Sequence, residues 1–343
     1  MTMRQSLQSE AICAAPIDAA IDFIAKTQKD TGEIPWFCGG KTDPWDHVEA
    51  AMGLSIAGYF QQARRAFEWL AQTQLEDGSW YCSYKNGQPE DKTREANMSS
   101  YIAVGAYHYF MITRDKAFLK QYWDAIRAAI NFAVNLQAPG GEIYWAVSPE
   151  GNTDKMALLT GSSSVYMSLK CALAIASQLN HEMPEWENAL KKLEEAICRR
   201  PYVFNVSKSR FSMDWFYPIL CGAVRGESAR KRIDKYWKKF VMEGQGVRCV
   251  SDRPWVTLAE TSEFCLALSA MGNRSQSEIV FNWICDKRYE DGSFWCGHTY
   301  PDMTIWPEEK NTWTNAVVLM AADAIYNLTP AGQLFSHKFW NKP

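Results

Sequence analysis

Acidic side chains occur where loops lead into strongly apolar segments of the chain. Four such junctions carry six acids: Asp46 and Glu49, Glu95, Asp214, and Glu260 with Glu263. Neighbouring carboxyl groups suit general acid–base chemistry, because different environments keep one group protonated and another ionised. We predict catalytic roles for Asp46, Asp214 and Glu260, and contacts with a substrate for Glu49, Glu95 and Glu263.

Aromatic side chains accompany the acids at the same junctions. They are Trp45, Tyr166, Trp215, Tyr217, Trp255 and Trp313. Aromatic faces stabilise cations and also stack on sugar rings, so these six residues are predicted to line a substrate cavity. Arg253, in the stretch SDRPW, is a candidate for holding an anionic group of the substrate, or else it forms a surface salt bridge.

Some of these residues also have a purely structural interpretation. Asp43 precedes Pro44, which is the pattern of a helix N-cap followed by proline at the first helical position. Thr257 and Glu260 have the spacing of a capping box. Either Asp43 or His47 is predicted to tune Asp46 in catalysis, and His47 is taken as a catalytic residue, although a histidine near a helix start is often a structural hydrogen-bonding group.

The elements that must position these side chains follow from hydrophobic periodicity. Six apolar segments are predicted as buried helices that begin near Asp46, Asn97, Ser162, Met213, Glu260 and Trp313. Six amphipathic helices alternate with them, near residues 16–28, 61–74, 116–137, 185–198, 227–242 and 274–286. This alternation predicts an all-α fold, a single (α/α)6 toroid over residues 1–343, with the acids at one mouth of the ring.

Related motifs end four of the amphipathic helices. They read FIAKTQKDTGEIPW (23–36), RAFEWLAQTQLEDGSW (65–80), FAVNLQAPGGEIYW (132–145) and WICDKRYEDGSFW (283–295). Each has Gln, replaced by Arg288 in the last, then Gly four residues later, then Trp. We expect Gly78 to form a left-handed helix cap, with the following aromatic side chain folded back on the last turn.

The second motif resembles the QW repeat of squalene and oxidosqualene cyclases, and the related repeat of protein prenyltransferase β-subunits is similar. The cyclase resemblance implies that an aspartic acid protonates an isoprenoid alkene or epoxide. The stretch DPWD (43–46), in place of that family's DxDD, offers Asp46 as the donor. The prenyltransferase resemblance implies zinc, but NTWTN (311–315) brings no histidine to the last inner helix, so we predict no metal, no cofactor and no partner α-subunit.

Three functional hypotheses remain open at this level. A class II terpenoid cyclase, favoured by the full QW match, would cyclise or isomerise an isoprenoid. A glycoside hydrolase-like enzyme, favoured by acids on several inner helices, would use two of Asp46, Glu95, Asp214, Glu260 and Glu263 as acid and base. A scaffold whose acids only cap helices is the third.

Composition and charge exclude other classes. A net charge of −3 and a pI near 6.0 provide no basic surface for nucleic acid. The stretch MTMRQSLQSEAIC (1–13) lacks the apolar core of a signal peptide, and no apolar run reaches the roughly 20 residues of a membrane span. We therefore predict a cytoplasmic enzyme with a small-molecule substrate, an isoprenoid or a glycan.

Overall fold

The computed structural model describes residues 17–341, and its helices form two concentric rings. The outer helices are α1 (Asp18–Thr27), α3 (Phe60–Thr73), α6 (Lys116–Asn135), α8 (Pro184–Arg199), α10 (Gly226–Phe240) and α12 (Arg274–Asn282). The inner helices are α2 (Pro44–Ile56), the consecutive α4 (Ala96–Ser100) and α5 (Ile102–Thr113), α7 (Leu159–Gln178), α9 (Ser212–Leu220), α11 (Leu258–Ala270) and α13 (Thr312–Tyr326). A short α14 (His337–Trp340) follows.

The inner helices close into a ring because each packs against the next and α13 packs against α2. They are buried on nearly all sides, as their uniformly apolar sequences require. Each inner helix begins within three residues of its predicted start, which confirms the all-α toroid. The single domain over residues 1–343 stays a prediction, since residues 1–16 and 342–343, including the segment behind the cytoplasmic hypothesis, lie outside the described range.

Short β-strands, which the sequence did not predict, occupy the loops that lead into inner helices. They are β1 (Ser83–Lys85), β2 (Gln88–Asp91), β3 (Arg94–Glu95), β4 (Tyr144–Val147), β5 (Thr153–Ala157), β6 (Val241–Met242), β7 (Gly246–Arg248), β8 (Trp255–Thr257) and β9 (Gly297–Thr299). They form three antiparallel sheets, in the orders β1-β2, β3-β4-β5 and β6-β7-β8-β9. Strand pairing satisfies the backbone hydrogen-bonding groups of these long loops. Because the loops lead into the inner helices, the sheets lie around the mouth of the ring.

Gly78 lies in a turn that follows α3, beyond the cap of the helix. Helix α3 ends at Thr73, and Gly78 lies five residues beyond it with φ +88°, where its N–H donates to the carbonyl of Leu75 at 2.9 Å. The predicted left-handed conformation is present, but its place at the helix cap is wrong. A β-carbon on Gly78 would lie 2.3 Å from the carbonyl oxygen of Ala128 in α6, so glycine is also required for close packing.

The glutamine of the motif links successive outer helices. Gln74 Nε2 donates to the Gly78 carbonyl and to the Ala125 carbonyl of α6, both at 2.9 Å. Gln28 and Gln137 make the same pair of bonds, to their own turn and to the next outer helix. The motif is therefore a joint between outer helices, and its presence follows from the toroid rather than from any reaction.

The aromatic residue of the second motif also has a structural role. Trp80 is fully buried, and its indole Nε1 donates to the Leu70 carbonyl of α3 at 2.9 Å. This contact folds the indole back onto the last turns of the helix, as the sequence predicts.

Within residues 17–341, no helix is long and apolar enough to cross a membrane.

Candidate functional site

The first turn of α2 holds two aspartates side by side. Asp43 is the N-cap, because its Oδ1 accepts from the Asp46 backbone N–H at 2.9 Å, and Pro44 takes the first helical position. The other oxygen of Asp43 accepts from Trp36 Nε1 at 2.8 Å. Burial raises the pKa of Asp46 well above its usual value, and the charges of Asp43 and Glu49 raise it further. The protonated form of Asp46 is therefore favoured over the charged form.

One turn further along α2, Glu49 lies at the centre of a hydrogen-bonded group. Tyr101 donates to Oε1 at 2.8 Å, and Trp313 Nε1 donates to Oε2 at 2.6 Å. Burial nevertheless raises the pKa of Glu49 to about 7, against the effect of these hydrogen bonds. Residues from the second and sixth inner helices thus meet at one carboxyl group inside the ring.

Helix α11, separated from α2 in the ring only by α13, carries Glu263. Its Oε1 accepts from the Tyr217 hydroxyl at 2.6 Å, whereas its Oε2 is buried with no hydrogen-bond partner. Burial raises the pKa of Glu263 well above its usual value, and the nearby charge of Glu49 adds to this effect. The free oxygen is available to a polar group that enters the ring.

Glu260 lies one turn before Glu263, and it is not part of a capping box. The side chain of Thr257 makes no capping hydrogen bond, so that structural interpretation is wrong. Glu260 Oε2 is buried without a hydrogen-bond partner. Burial raises the pKa of Cys296 to about 12, and the nearby charges of Glu260 and Asp46 contribute, so all three side chains lie in one neighbourhood.

Aromatic rings form one wall between these acids. Trp45 stacks on Tyr101 with ring centroids 4.1 Å apart, and its centroid lies 5.9 Å from that of Tyr217. Trp313 is only partly buried beside Glu49. The mouth therefore combines flat aromatic faces with several carboxyl groups.

His47 has its ring nitrogens fully committed to the backbone. Nδ1 accepts from the Ile34 N–H at 3.1 Å, which leaves Nε2 to donate to the Ala66 carbonyl at 2.9 Å. Burial lowers the pKa of His47 to about 4, so the ring is neutral. These bonds leave neither nitrogen for Asp46, and the predicted tuning role is wrong.

Glu95 lies at the edge of the mouth, at the end of β3. Its Oε1 accepts from the Cys82 thiol at 3.3 Å. Burial raises its pKa, and the charge of Asp43 contributes, which places Glu95 near the start of α2. Glu95 is thus close to the central acids but engaged with a thiol.

Two predicted aromatic site residues, Trp215 and Tyr166, contact neighbouring helices instead of the ring interior. Trp215 Nε1 donates to the Arg232 carbonyl of α10 at 2.9 Å, and its ring stacks on Phe240 and Phe264. Tyr166 is hydrogen-bonded to Glu194 of α8. Both aromatic residues therefore pack between the two helix layers, because each lies on the outer face of its inner helix.

Asp214 caps the neighbouring inner helix. Its Oδ1 accepts from both the N–H and the hydroxyl of Thr160, at 3.2 and 2.6 Å. Burial raises the pKa of Asp214, although these hydrogen bonds oppose the shift. This carboxyl group joins α9 to the start of α7 and is not among the acids that meet near Asp46.

Arg253 and Trp255 lie apart from the central acids, on the wall of a cavity of about 490 Å³ at the rim of the mouth. The sequence also gave Trp36 and Tyr101 no functional role, yet both bond to mouth acids. Tyr101 follows Asn97 by four positions, so the helical repeat was a usable signal. Trp36 belongs to a turn motif and offered no separate signal.

The described part of the chain, residues 17–341, holds no group of three or more His, Cys, Asp or Glu side chains arranged to bind a metal ion.

A double ring of helices with several buried acids and flat aromatic rings at one mouth is suited to a carbohydrate-active enzyme. Solved structures agree on the fold. A glycosidase in complex with glucose matches with a TM-score of 0.69 at 12% identity, over 91% of this chain and 96% of its own. A D-mannose isomerase matches with a TM-score of 0.68 at 12% identity, over 93% of this chain and 97% of its own.

Sequence comparison defines the family. The chain is 48% identical over 312 residues to the MMP endo-(1,4)-3-O-methyl-α-D-mannosidase of Mycolicibacterium hassiacum (strain DSM 44199 / CIP 105218 / JCM 12690 / 3849), covering 91% of this chain and 86% of that protein. The chain belongs to the family of that mannosidase. No family model matches the sequence.

These relatives correct the predicted family. The chain is an enzyme, as predicted, but the assignment to terpenoid cyclases or prenyltransferases is wrong, and so are the cyclisation reaction and the isoprenoid substrate. The QW-like motif misled because its glutamine and glycine join outer helices in this toroid as well. The carbohydrate alternative is the better supported one.

Proposed function

We propose that this protein is a glycoside hydrolase that cleaves internal bonds of a glycan built from (1,4)-linked 3-O-methyl-α-D-mannose. The observation that carries the proposal is a buried acid with a raised pKa, Asp46, in the same neighbourhood as Glu260, whose Oε2 has no hydrogen-bond partner. The 48% identity to an endomannosidase supports this choice of substrate.

Each acid has a defined part in this reaction. The raised pKa of Asp46 favours its protonated form, so Asp46 donates its proton to the glycosidic oxygen as the bond to the anomeric carbon breaks. Glu260 accepts a proton from the water that attacks the anomeric carbon. One water is consumed, its hydroxyl group goes to one sugar and the donated proton to the other. Glu260 then releases its proton to solvent, and solvent returns a proton to Asp46.

The remaining groups of the mouth bind the sugar. Glu263 Oε2 accepts a hydrogen bond from a sugar hydroxyl group, since it is buried without a protein partner. Glu49 is held by Tyr101 and Trp313 and so fixes the geometry of the aromatic wall. Trp313 and Trp45 supply flat surfaces for the apolar faces of the sugar rings.

The test is hydrolysis of a synthetic (1,4)-linked 3-O-methyl-α-D-manno-oligosaccharide, followed by mass spectrometry of the products. Wild-type protein is expected to release shorter oligosaccharides, and both Asp46→Asn and Glu260→Gln are expected to lose most of the rate. Glu308→Gln, which changes an exposed acid, is the matched control. Wild-type protein that leaves the oligosaccharide intact but isomerises free mannose would overturn the proposal.

A further inference from the structure

A second cavity opens at the rim of the same mouth. It has a volume of about 490 Å³, and its walls include Arg210, Val250, Arg253, Trp255, Thr299 and Trp306. We refer to it as the rim cavity. Nothing in the proposed hydrolysis uses these residues, yet one of them, Trp306, leaves 54% of its surface exposed. An exposed indole beside a cavity is a typical binding surface.

Three of the loops that lead into inner helices meet at the rim cavity. Val250 is bridged to Phe211, directly before α9, and Trp255 lies on β8, directly before α11. Trp306 precedes α13 and is tied to β9, since its N–H donates to the Gly297 carbonyl at 3.0 Å. The rim cavity therefore faces the same end of the ring as the catalytic acids.

The rim cavity is also close to those acids along the chain. Strand β8 runs from Trp255 to Thr257, and α11 starts at the next residue and carries Glu260 in its first turn. At about 3.3 Å per strand residue, the backbone of Trp255 lies about 10 Å from the start of α11. That separation corresponds to a few sugar units of an extended glycan.

The two tryptophans form a rigid surface. Trp255 Nε1 donates to the Trp306 carbonyl at 2.8 Å, and the two rings meet edge to face with centroids 5.0 Å apart. A β-carbon at Gly297 would lie 2.7 Å from Trp255 Nε1, so the glycine makes room for the indole. Rings fixed in this way bind a ligand with little loss of side-chain entropy.

Arginines supply the polar part of the surface. Arg210 forms an ion pair with Asp252 at 3.0 Å, which compensates its charge while leaving other N–H groups of the guanidinium for further hydrogen bonds. Arg253 is exposed on the same wall. Guanidinium donors beside aromatic faces suit a neutral ligand that has both oxygen acceptors and apolar groups.

We propose that the rim cavity is a remote subsite that binds one 3-O-methylated mannose unit of the glycan, a few units from the bond that is cleaved. This inference rests on the proposed function. The methyl ether and the apolar face of the sugar lie against Trp306 and Trp255, and the ether and hydroxyl oxygens accept hydrogen bonds from Arg253. A long chain then spans both the catalytic acids and the rim cavity.

Chain length and methylation test this subsite. Trp306→Ala is expected to lower kcat/KM at least about tenfold for a methylated decasaccharide, the typical loss for one aromatic anchor, mainly through KM. The same variant is expected to cleave a methylated trisaccharide at the wild-type rate, because that ligand does not reach the rim. Tyr202→Ala, which removes an aromatic residue that is 74% exposed and lies outside the rim cavity, is the control.

Other outcomes separate the subsite from the function. The subsite alone is overturned if the wild type hydrolyses the glycan and Trp306→Ala matches the wild-type rate on both the decasaccharide and the trisaccharide. It is also overturned if Trp306→Ala loses the same fraction of its rate with methylated and with unmethylated decasaccharides. No hydrolysis of either length by the wild type overturns the proposed function. Light scattering that shows a wild-type dimer and a monomeric Trp306→Ala variant assigns the surface to a second copy of the chain and overturns the subsite.

Discussion

The glutamines in the turns between outer helices differ from the acids at the mouth of the ring in their hydrogen-bond partners. Gln28, Gln74 and Gln137 each donate to two backbone carbonyls, one in their own turn and one in the next outer helix. At the mouth, Glu260 and Glu263 each keep a buried oxygen without a partner.

The difference separates structural from functional polar residues. A buried polar group without a partner costs about 1–3 kcal/mol, so such a group is retained where a ligand supplies the missing bond. The glutamines of the turn motifs make both of these bonds within the protein, and any toroid of this type can use them. The hydrogen bonds of these glutamines therefore explain the motif without any reference to a reaction.

The largest expected effect is on catalysis. Asp46→Asn is expected to lower kcat by about 10²–10⁴-fold, the usual contribution of a general acid, without loss of thermal stability. Asp323→Asn is the matched control, because burial also raises the pKa of Asp323, to about 7, but both its oxygens accept from Thr329. The control should lose stability and keep its rate. Equal rates for Asp46→Asn and Asp323→Asn would show that Asp46 is not the general acid.

The next largest effect concerns the turn after α3. Gly78→Ala is expected to lower the free energy of unfolding by about 3 kcal/mol or more, since positive φ and the clash with the Ala128 carbonyl each cost about 1–3 kcal/mol. Gly87→Ala is the control, with φ +74° and no atom within 4 Å of its β-carbon. Denaturant unfolding of both variants measures the difference. Similar losses would show that packing against α6 contributes nothing.

A smaller effect is expected from the glutamine of the same turn. Gln74→Ala removes two hydrogen bonds and leaves the Gly78 and Ala125 carbonyls without this donor, which costs about 1–3 kcal/mol. Gln72→Ala, at an exposed position of α3, should be nearly neutral. The rate per folded molecule should be unchanged in both, and a fall in the rate for Gln74→Ala would mean that the turn also shapes the mouth.

The last prediction concerns the pH dependence of stability. Glu49 has a pKa of about 7 in the folded protein against 4.5 as the ordinary value, so the folded chain holds a proton that the unfolded chain releases. Its contribution to stability is therefore greatest below pH 4.5 and falls as pH rises to about 7, by at most about 1.4 kcal/mol per pH unit. Glu49→Gln should flatten this slope in thermal unfolding. An unchanged slope would show that other groups cause it.

Much of the fold was predictable, because helix periodicity and buried segments are local properties. The starts of the inner helices and the N-cap at Asp43 follow from apolar spacing and from the Asp-Pro pair. The strands around the mouth were not predictable in the same way, since β8 (255–257) pairs with β9 (297–299), which comes from a distant part of the sequence.

The site was less predictable than the fold. The sequence showed which loops approach the mouth, and so identified Asp46, Glu49, Glu260 and Glu263 as candidates. It did not show that His47 is bonded to the Ile34 and Ala66 backbone. A side chain on a buried helix has neighbours on every side, and its spacing alone does not say which neighbour it bonds.

By itself, the sequence determined a ring of alternating buried and amphipathic helices, with acids and aromatic residues at one end. Those features depend on hydrophobic burial and on short-range helix geometry, which the order of residues specifies directly. Only the tertiary structure decided which acids keep an oxygen without a hydrogen-bond partner, which acids have a raised pKa, and which loops form the rim cavity. Those properties depend on desolvation and on partners far apart in the chain, which exist only once the ring has closed.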